Sequence, residues 1–356
     1  MKLGLGLYRS LLNDANFRFA RQAGATHIIA QLVDYVKGGD SPSLTQNYLD
    51  GWGATHNEGK LWTYDELLAL RRQVESHGLT LAGIENFDPA HWYDVLLDGP
   101  KKAQQMEGLK ATIRNIGRAG IPVMGYYFSL AGVWGWSSRP SGRGQAMSVE
   151  FNQETIDVHR PIPNGMVWNM AYDTEAPAGV VAPVSREEMW ERLRFFLGEL
   201  LPVAEESGVR LAAHPDDPPV AELRGTARLF YLPGEYERLL EVSDSPSNTF
   251  EFCMGTLQEM KESDIYAILD KYAAAGKIGY IHFRNVKGKV PHYREAFVDE
   301  GDIDMARALR ILKKNNYDGV LIPDHTPEMS CKAPWHAGMA FALGYMKGAM
   351  QAIGVD

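Results

Sequence analysis

Four residues of metal-binding type, His214, Cys253, His282 and Asp324, each stand at the end of an apolar run of strand length. His214 closes one such run and is followed by Pro215-Asp-Asp-Pro-Pro219, where proline's fixed φ and missing N–H stop a strand. Cys253 lies in Thr249-Phe-Glu-Phe-Cys-Met-Gly255, His282 in Tyr280-Ile-His-Phe-Arg-Asn285, and Asp324 in Ile322-Pro-Asp-His-Thr326. The successive separations are 39, 29 and 42 residues, each one strand-plus-helix unit. With those strands side by side, two imidazoles, a thiolate and a carboxylate converge on one point, a set that suits a divalent transition metal. Taken singly, Cys253 reads as a small buried hydrophobe, His282 as a satisfied core histidine and Asp324 as a cap or a partner for arginine. Recurrence on four consecutive strands favours a shared site. Arg284, two residues beyond His282, could neutralise a substrate carboxylate or form a structural ion pair. Asp216 and Asp217 would orient His214 or cap its turn.

The elements that must position these residues alternate from end to end. Strands are expected at Leu3–Tyr8, His27–Val33, Leu79–Glu85, Pro122–Ser129, Val209–His214, Thr249–Met254, Gly279–Asn285 and Gly319–Asp324, each mostly apolar on both faces as buried parallel strands are. Helices are expected at Asn13–Ala23, Tyr64–His77, Lys101–Ala119, Arg186–Ser207, Leu257–Ala275, Asp302–Asn316 and Ala337–Ala352. Gly24, Gly78, Gly120, Gly208 and Gly276 sit where helices end, and Ser185-Arg-Glu-Glu188 fits a capping box. Eight such units predict a (β/α)₈ TIM barrel, one domain over residues 1–356. A doubly wound sheet would usually carry a Gly-rich turn after its first strand, and Tyr8-Arg-Ser-Leu-Leu-Asn13 is nothing like one.

Two connections are long, Lys37–Leu61 after the second strand and Leu130–Val184 after the fourth. Both leave the carboxyl strand ends, where barrel enzymes build their sites. The second contains Trp134, Trp136, Arg139, Arg143, His159, Arg160 and Trp168, too aromatic for a disordered insertion, and reads as a lid over the mouth.

The chain has 356 residues, 45% of them hydrophobic and 23% charged, the balance of a soluble globular protein. A formal charge of −9 argues against a nucleic-acid surface but leaves room for a small anionic substrate at a local basic group. No apolar run approaches the roughly 20 residues that span a bilayer, and the start lacks a signal-peptide pattern. Two cysteines make no disulfide framework, so the expected compartment is the cytoplasm.

The blocks His214-Pro-Asp-Asp-Pro-Pro219, His282-Phe-Arg-Asn285, Gly301-Asp-Ile-Asp-Met305 and Asn316-Tyr-Asp-Gly-Val-Leu-Ile-Pro-Asp-His325 resemble those of the mannonate dehydratases, sugar-acid lyases of hexuronate breakdown. Weaker echoes lie in Thr112–Ile121 and Trp136–Arg139. The resemblance implies a xylose-isomerase-like barrel and Mn²⁺ (or Fe²⁺, or another divalent first-row metal) held by His214, Cys253, His282 and Asp324. It implies dehydration of D-mannonate to 2-keto-3-deoxy-D-gluconate, with His325 as an acid/base residue. Where the family has a Pro-Gly-Tyr-Gly segment with a catalytic tyrosine, this chain reads Ala333-Pro-Trp-His336-Ala-Gly, so either His336 takes that role or the chain carries no equivalent. Arg284, Arg139, Trp136 and Asp216 are the candidate substrate contacts. The expected partner is a small sugar acid, with no nucleic acid or membrane, and the expected assembly a homo-oligomer. A metal-dependent sugar isomerase or epimerase, or a non-catalytic carbohydrate- or metal-binding barrel, would use the same scaffold.

Overall fold

Eight short strands close on themselves in a computed structural model that describes residues 1–33, 52–55 and 60–355. They are Lys2–Leu7 (β1), His27–Gln31 (β2), Thr80–Glu85 (β3), Val123–Tyr126 (β4), Arg210–Ala213 (β5), Asn248–Cys253 (β6), Ile278–His282 (β7) and Val320–Ile322 (β8). Each is parallel to its neighbours in chain order, and β8 returns to β1 through Lys2 opposite Val320. All eight lie within three residues of the bounds expected from sequence. Their two-sided apolar character has two destinations. Leu5, Ile28, Leu81, Phe250 and Ile281 face the helical shell, whereas Ile29, Ala82, Val123, Ala212, Tyr280, Val320 and Ile322 form a separate cluster in the lumen. Space in the lumen is short: a Cβ on Gly4 would lie 2.5 Å from Val320 Cγ1.

The shell consists of Asp14–Gln22 (α1), Tyr64–Ser76 (α2), Pro89–Leu97 (α3), Lys102–Arg118 (α4), Arg186–Glu206 (α5), Glu235–Val242 (α6), Met254–Glu259 (α7), Ile265–Ala274 (α8), Met305–Lys314 (α9) and Pro334–Ala352 (α10). The Ser185/Glu188 capping box forms at the start of α5 as expected. Among the helices, three differences from the sequence reading stand out. The helix expected over Leu257–Ala275 is two, because Met260 turns extended and the Asp264 carboxylate caps α8 by accepting from Tyr266 and Ala267 N–H. The short helices α3 and α6 were not expected. For α3 a start signal is present, Asp88 accepting from Ala90 N–H with Pro89 in the first turn. No helix among the described residues is long and apolar enough to cross a membrane. Most of the long connection Lys37–Leu61 lies outside the described residues.

Within Leu130–Val184, Trp136–Arg139 pairs antiparallel with Ser148–Asn152. That pair is continued by a hairpin, Asn285–Lys289 with His292–Ala296, which springs from the carboxyl end of β7. The resulting four-stranded sheet therefore joins chain leaving β4 to chain leaving β7.

Candidate metal and catalytic centre

Side chains two apart on a strand share a face, so each lumen residue is followed on the same face by a potential ligand. Ala212 leads to His214, Glu251 to Cys253, Tyr280 to His282 and Ile322 to Asp324, while the register sets Cys253 beside His282. Donor atoms of His214, Cys253 and His282 lie within 4.8 Å of one another, and His282 Nδ1 is 3.3 Å from Asp324 Oδ2. The last position depends on a broken strand. β8 stops at Ile322, and Asp324 takes a left-handed backbone with φ 61°. A non-glycine residue there costs on the order of 1–3 kcal/mol and persists only where its surroundings hold it. Alternation is lost at that point, so His325 also turns in. Its Nε2 is 3.3 Å from Asp324 Oδ2 and its Nδ1 2.9 Å from Glu295 Oε2, a carboxylate of the hairpin.

Neighbouring acceptors fix which ring nitrogen is available. His214 Nδ1 is 2.6 Å from the Pro215 carbonyl, which only accepts, so Nδ1 carries hydrogen and Nε2 presents the lone pair. His282 Nε2 faces Glu85 Oε2 at 3.1 Å, leaving Nδ1 buried with no aligned hydrogen-bond partner among the described residues. Cys253 caps the start of α7, and its sulfur accepts from Thr256 Oγ1 at 3.1 Å and Arg284 Nε at 3.3 Å. Burial alone would raise the thiol's pKa, but Arg284 and the two imidazoles hold it well below its usual value. The Asp324 carboxyl is likewise held low, against burial, by His282, His325 and Arg284. Burial pulls His214 down, yet Cys253 and Glu251 lift it to about 9, the mark of a pocket with negative charge in excess. Burial and the charge of Glu85 push Glu251 up to about 8. A thiolate, an ionised carboxylate and two imidazoles that each turn one nitrogen inward, to ligate once a cation displaces its proton, fit a divalent first-row metal in this negative pocket.

Arg284 is buried at the same centre with every nitrogen engaged. Nη1 donates to Glu259 and Glu295 at 3.0 and 3.1 Å, and Nη2 to Asp217 and Thr256 at 2.5 and 2.9 Å. Trp136 stands edge-on to His325 with ring centroids 5.4 Å apart, and its Nε1 donates to the Tyr293 hydroxyl. Asp216 accepts from Leu229 and Phe230 N–H at 2.7 Å and pairs with Arg228 at 2.9 Å, which ties down the loop after β5. His336 docks α10 on α1, donating to Asn16 Oδ1 at 2.9 Å and packing against Phe19. Arg139 lies exposed on the four-stranded sheet, 3.8 Å from Glu150. The fold thus gathers His214, Cys253, His282, Asp324, His325, Arg284 and Trp136, while His336, Arg139 and Asp216 have other neighbours. A small cavity beside His325 is lined by Tyr8, Thr326, Glu328 and Trp335 among others. Sequence reasoning missed Glu85, Glu251 and Glu295. The first two were visible as carboxylates inside otherwise apolar strands, a costly placement unless they are partnered. Glu295, on a hairpin the pattern did not predict, gave no such signal.

Comparison with known proteins gives the family and the fold. Residues 16–356 match the family model described as D-mannonate dehydratase (UxuA). The chain is 30% identical over 277 residues to mannonate dehydratase 2 of Halalkalibacterium halodurans, covering 75% of this chain and 79% of that one. It is 29% identical over 290 residues to the mannonate dehydratase of Thermotoga maritima, covering 75% and 78%. The crystal structure of mannonate dehydratase from Streptococcus suis serotype 2 superposes with a TM-score of 0.76 at 25% identity, over 100% of this chain and 95% of that one. A xylose isomerase domain protein from Planctomyces limnophilus shares the fold, with a TM-score of 0.57 at 13% identity and coverage of 99% and 98%. The resemblance read from the His214–Pro219 and Asn316–His325 blocks is borne out, and the chain belongs to the D-mannonate dehydratase family of hydro-lyases.

Proposed function

We propose that this protein dehydrates D-mannonate to 2-keto-3-deoxy-D-gluconate at the centre formed by His214, Cys253, His282, Asp324 and His325. Family membership supports the reaction class, and the observation that carries the site is the convergence of three donor groups within 4.8 Å beside the Asp324–His325 pair. A divalent cation held by His214 Nε2, Cys253 Sγ, His282 Nδ1 and an Asp324 oxygen would supply Lewis-acid polarisation of the substrate carboxylate and its neighbouring hydroxyl.

The remaining work falls to the protein. The Glu295 carboxylate, an ion-pair neighbour 2.9 Å from His325 Nδ1, favours the hydrogen on that nitrogen and leaves Nε2, beside Asp324, as the base for the C2 proton. The imidazolium so formed holds the proton that leaves with the C3 hydroxyl as water. Arg284, surrounded by Asp217, Glu259 and Glu295, serves as counter-charge to Cys253 and Asp324. Leu130–Val184 acts as the lid, with Trp136 as its wall against His325.

A panel of hexonates and pentonates, offered to full-length protein loaded in turn with Mn²⁺, Fe²⁺, Co²⁺ and Zn²⁺, tests the assignment by 2-keto-acid formation. D-mannonate is expected to give the highest kcat/KM. Keto acid from no member of the panel, or from pentonates only, overturns the substrate assignment.

A further inference from the structure

Glu85 closes β3 on the opposite side of the lumen from β7, and it is 4% exposed. Three donors converge on its carboxylate. Gln31 Nε2 reaches Oε1 at 2.8 Å, while the Tyr280 hydroxyl and His282 Nε2 each reach Oε2 at 3.1 Å. Glu251 stands at the same 3.1 Å from His282 Nε2, but neither of its oxygens has an aligned hydrogen bond. Room for this layer comes from Gly125 on β4, where a Cβ would lie 2.5 Å from both Glu251 Oε2 and the Tyr280 hydroxyl.

We infer that Glu85 is a positioning residue: by accepting the Nε2 hydrogen of His282 it fixes that imidazole as an Nδ1 ligand, without touching the metal itself. The inference rests on the metal reading above and adds the group that sets one ligand's tautomer. A carboxylate that accepts such a hydrogen also makes the imidazole a stronger donor, and losing this kind of partner typically weakens metal affinity about 10–100-fold. The competing arrangement is a second cation among Glu85, Glu251 and His282, whose donor atoms also lie within 4.8 Å of one another. It would need Nε2 stripped of its hydrogen and Glu85 oxygens already taken by Gln31 and Tyr280 to be free.

The test uses Zn²⁺ with full-length protein, read by chelator competition for affinity and stoichiometry and by ¹⁵N spectra of labelled histidines for the coordinated nitrogen. Wild type is expected to bind one Zn²⁺ with His282 ligated through Nδ1 and protonated at Nε2. Glu85→Gln keeps the shape, removes the charge, and is expected to bind Zn²⁺ about 10–100-fold more weakly. Equal affinity in the variant, His282 ligation through Nε2, or two Zn²⁺ per wild-type chain overturns the inference while leaving the metal reading in place. No Zn²⁺ bound by wild type overturns both. If Glu85→Gln does not fold, the wild-type spectrum and stoichiometry still decide between the two arrangements.

Discussion

Asp324 and His325 are chain neighbours that a regular strand would send to opposite faces. The left-handed backbone at Asp324 lets both approach one point, the first beside His282 and the second beside Glu295. Their roles then separate experimentally. His325→Asn is expected to lower kcat about 10²–10⁴-fold while metal content, measured by elemental analysis, stays at the wild-type level. Normal turnover at normal metal loading would remove His325 from the chemistry. The ligand candidates were legible from sequence because each ends an apolar run. Glu85 and Glu251 were visible as carboxylates inside apolar strands, but their partners were not, since the partner of a buried charge depends on which strands face each other. The same applies to His336, which lies within the segment expected to supply a catalytic residue but is held by Asn16 across the α1–α10 contact.

Strand order and strand bounds were readable because a buried parallel strand leaves an apolar run bracketed by helix caps. What the elements do beyond the barrel was less so. The hairpin Asn285–Ala296 is rich in Lys and Arg and lacks a clean apolar alternation, yet it pairs with the insertion after β4 through Tyr293 opposite Phe151. Only that tertiary pairing brings Glu295 to His325. Inside the barrel, the β4 position at Gly125 is tied to the layer under the site. Gly125→Ala is expected to destabilise the protein by about 1–3 kcal/mol, the usual cost of overpacking a filled core, measured by urea unfolding of the metal-free form. An unchanged midpoint would mean that Glu251 and Tyr280 can shift freely, and that the layer is not the fixed seat described.

For the whole molecule, the charge balance at the strand ends ties folding to metal. Arg284 is the guanidinium set among Asp217, Glu259, Glu295 and Asp324, and Cys253 is held as a thiolate beside it. A bound cation would offset that excess, so metal should stabilise the native state. Free metal at 100 times its Kd is expected to add about 2.7 kcal/mol in wild type, read as a rise in Tm over the chelator-treated protein. Cys253→Ala should lose most of that rise, and an equal rise in the variant would exclude the thiolate from the ligand set.

Loss of water from a sugar acid is followed in one experiment, a single reaction in D₂O. Metal-loaded full-length protein and D-mannonate are followed by NMR at the C2 and C3 positions. The expected product is 2-keto-3-deoxy-D-gluconate with deuterium from solvent at C3, formed as the enol returns to the ketone. Deuterium entering C2 of an otherwise intact hexonate would indicate an epimerase or isomerase, and bound sugar without any turnover would indicate a binding protein. Either result would rule out dehydration of D-mannonate by this protein.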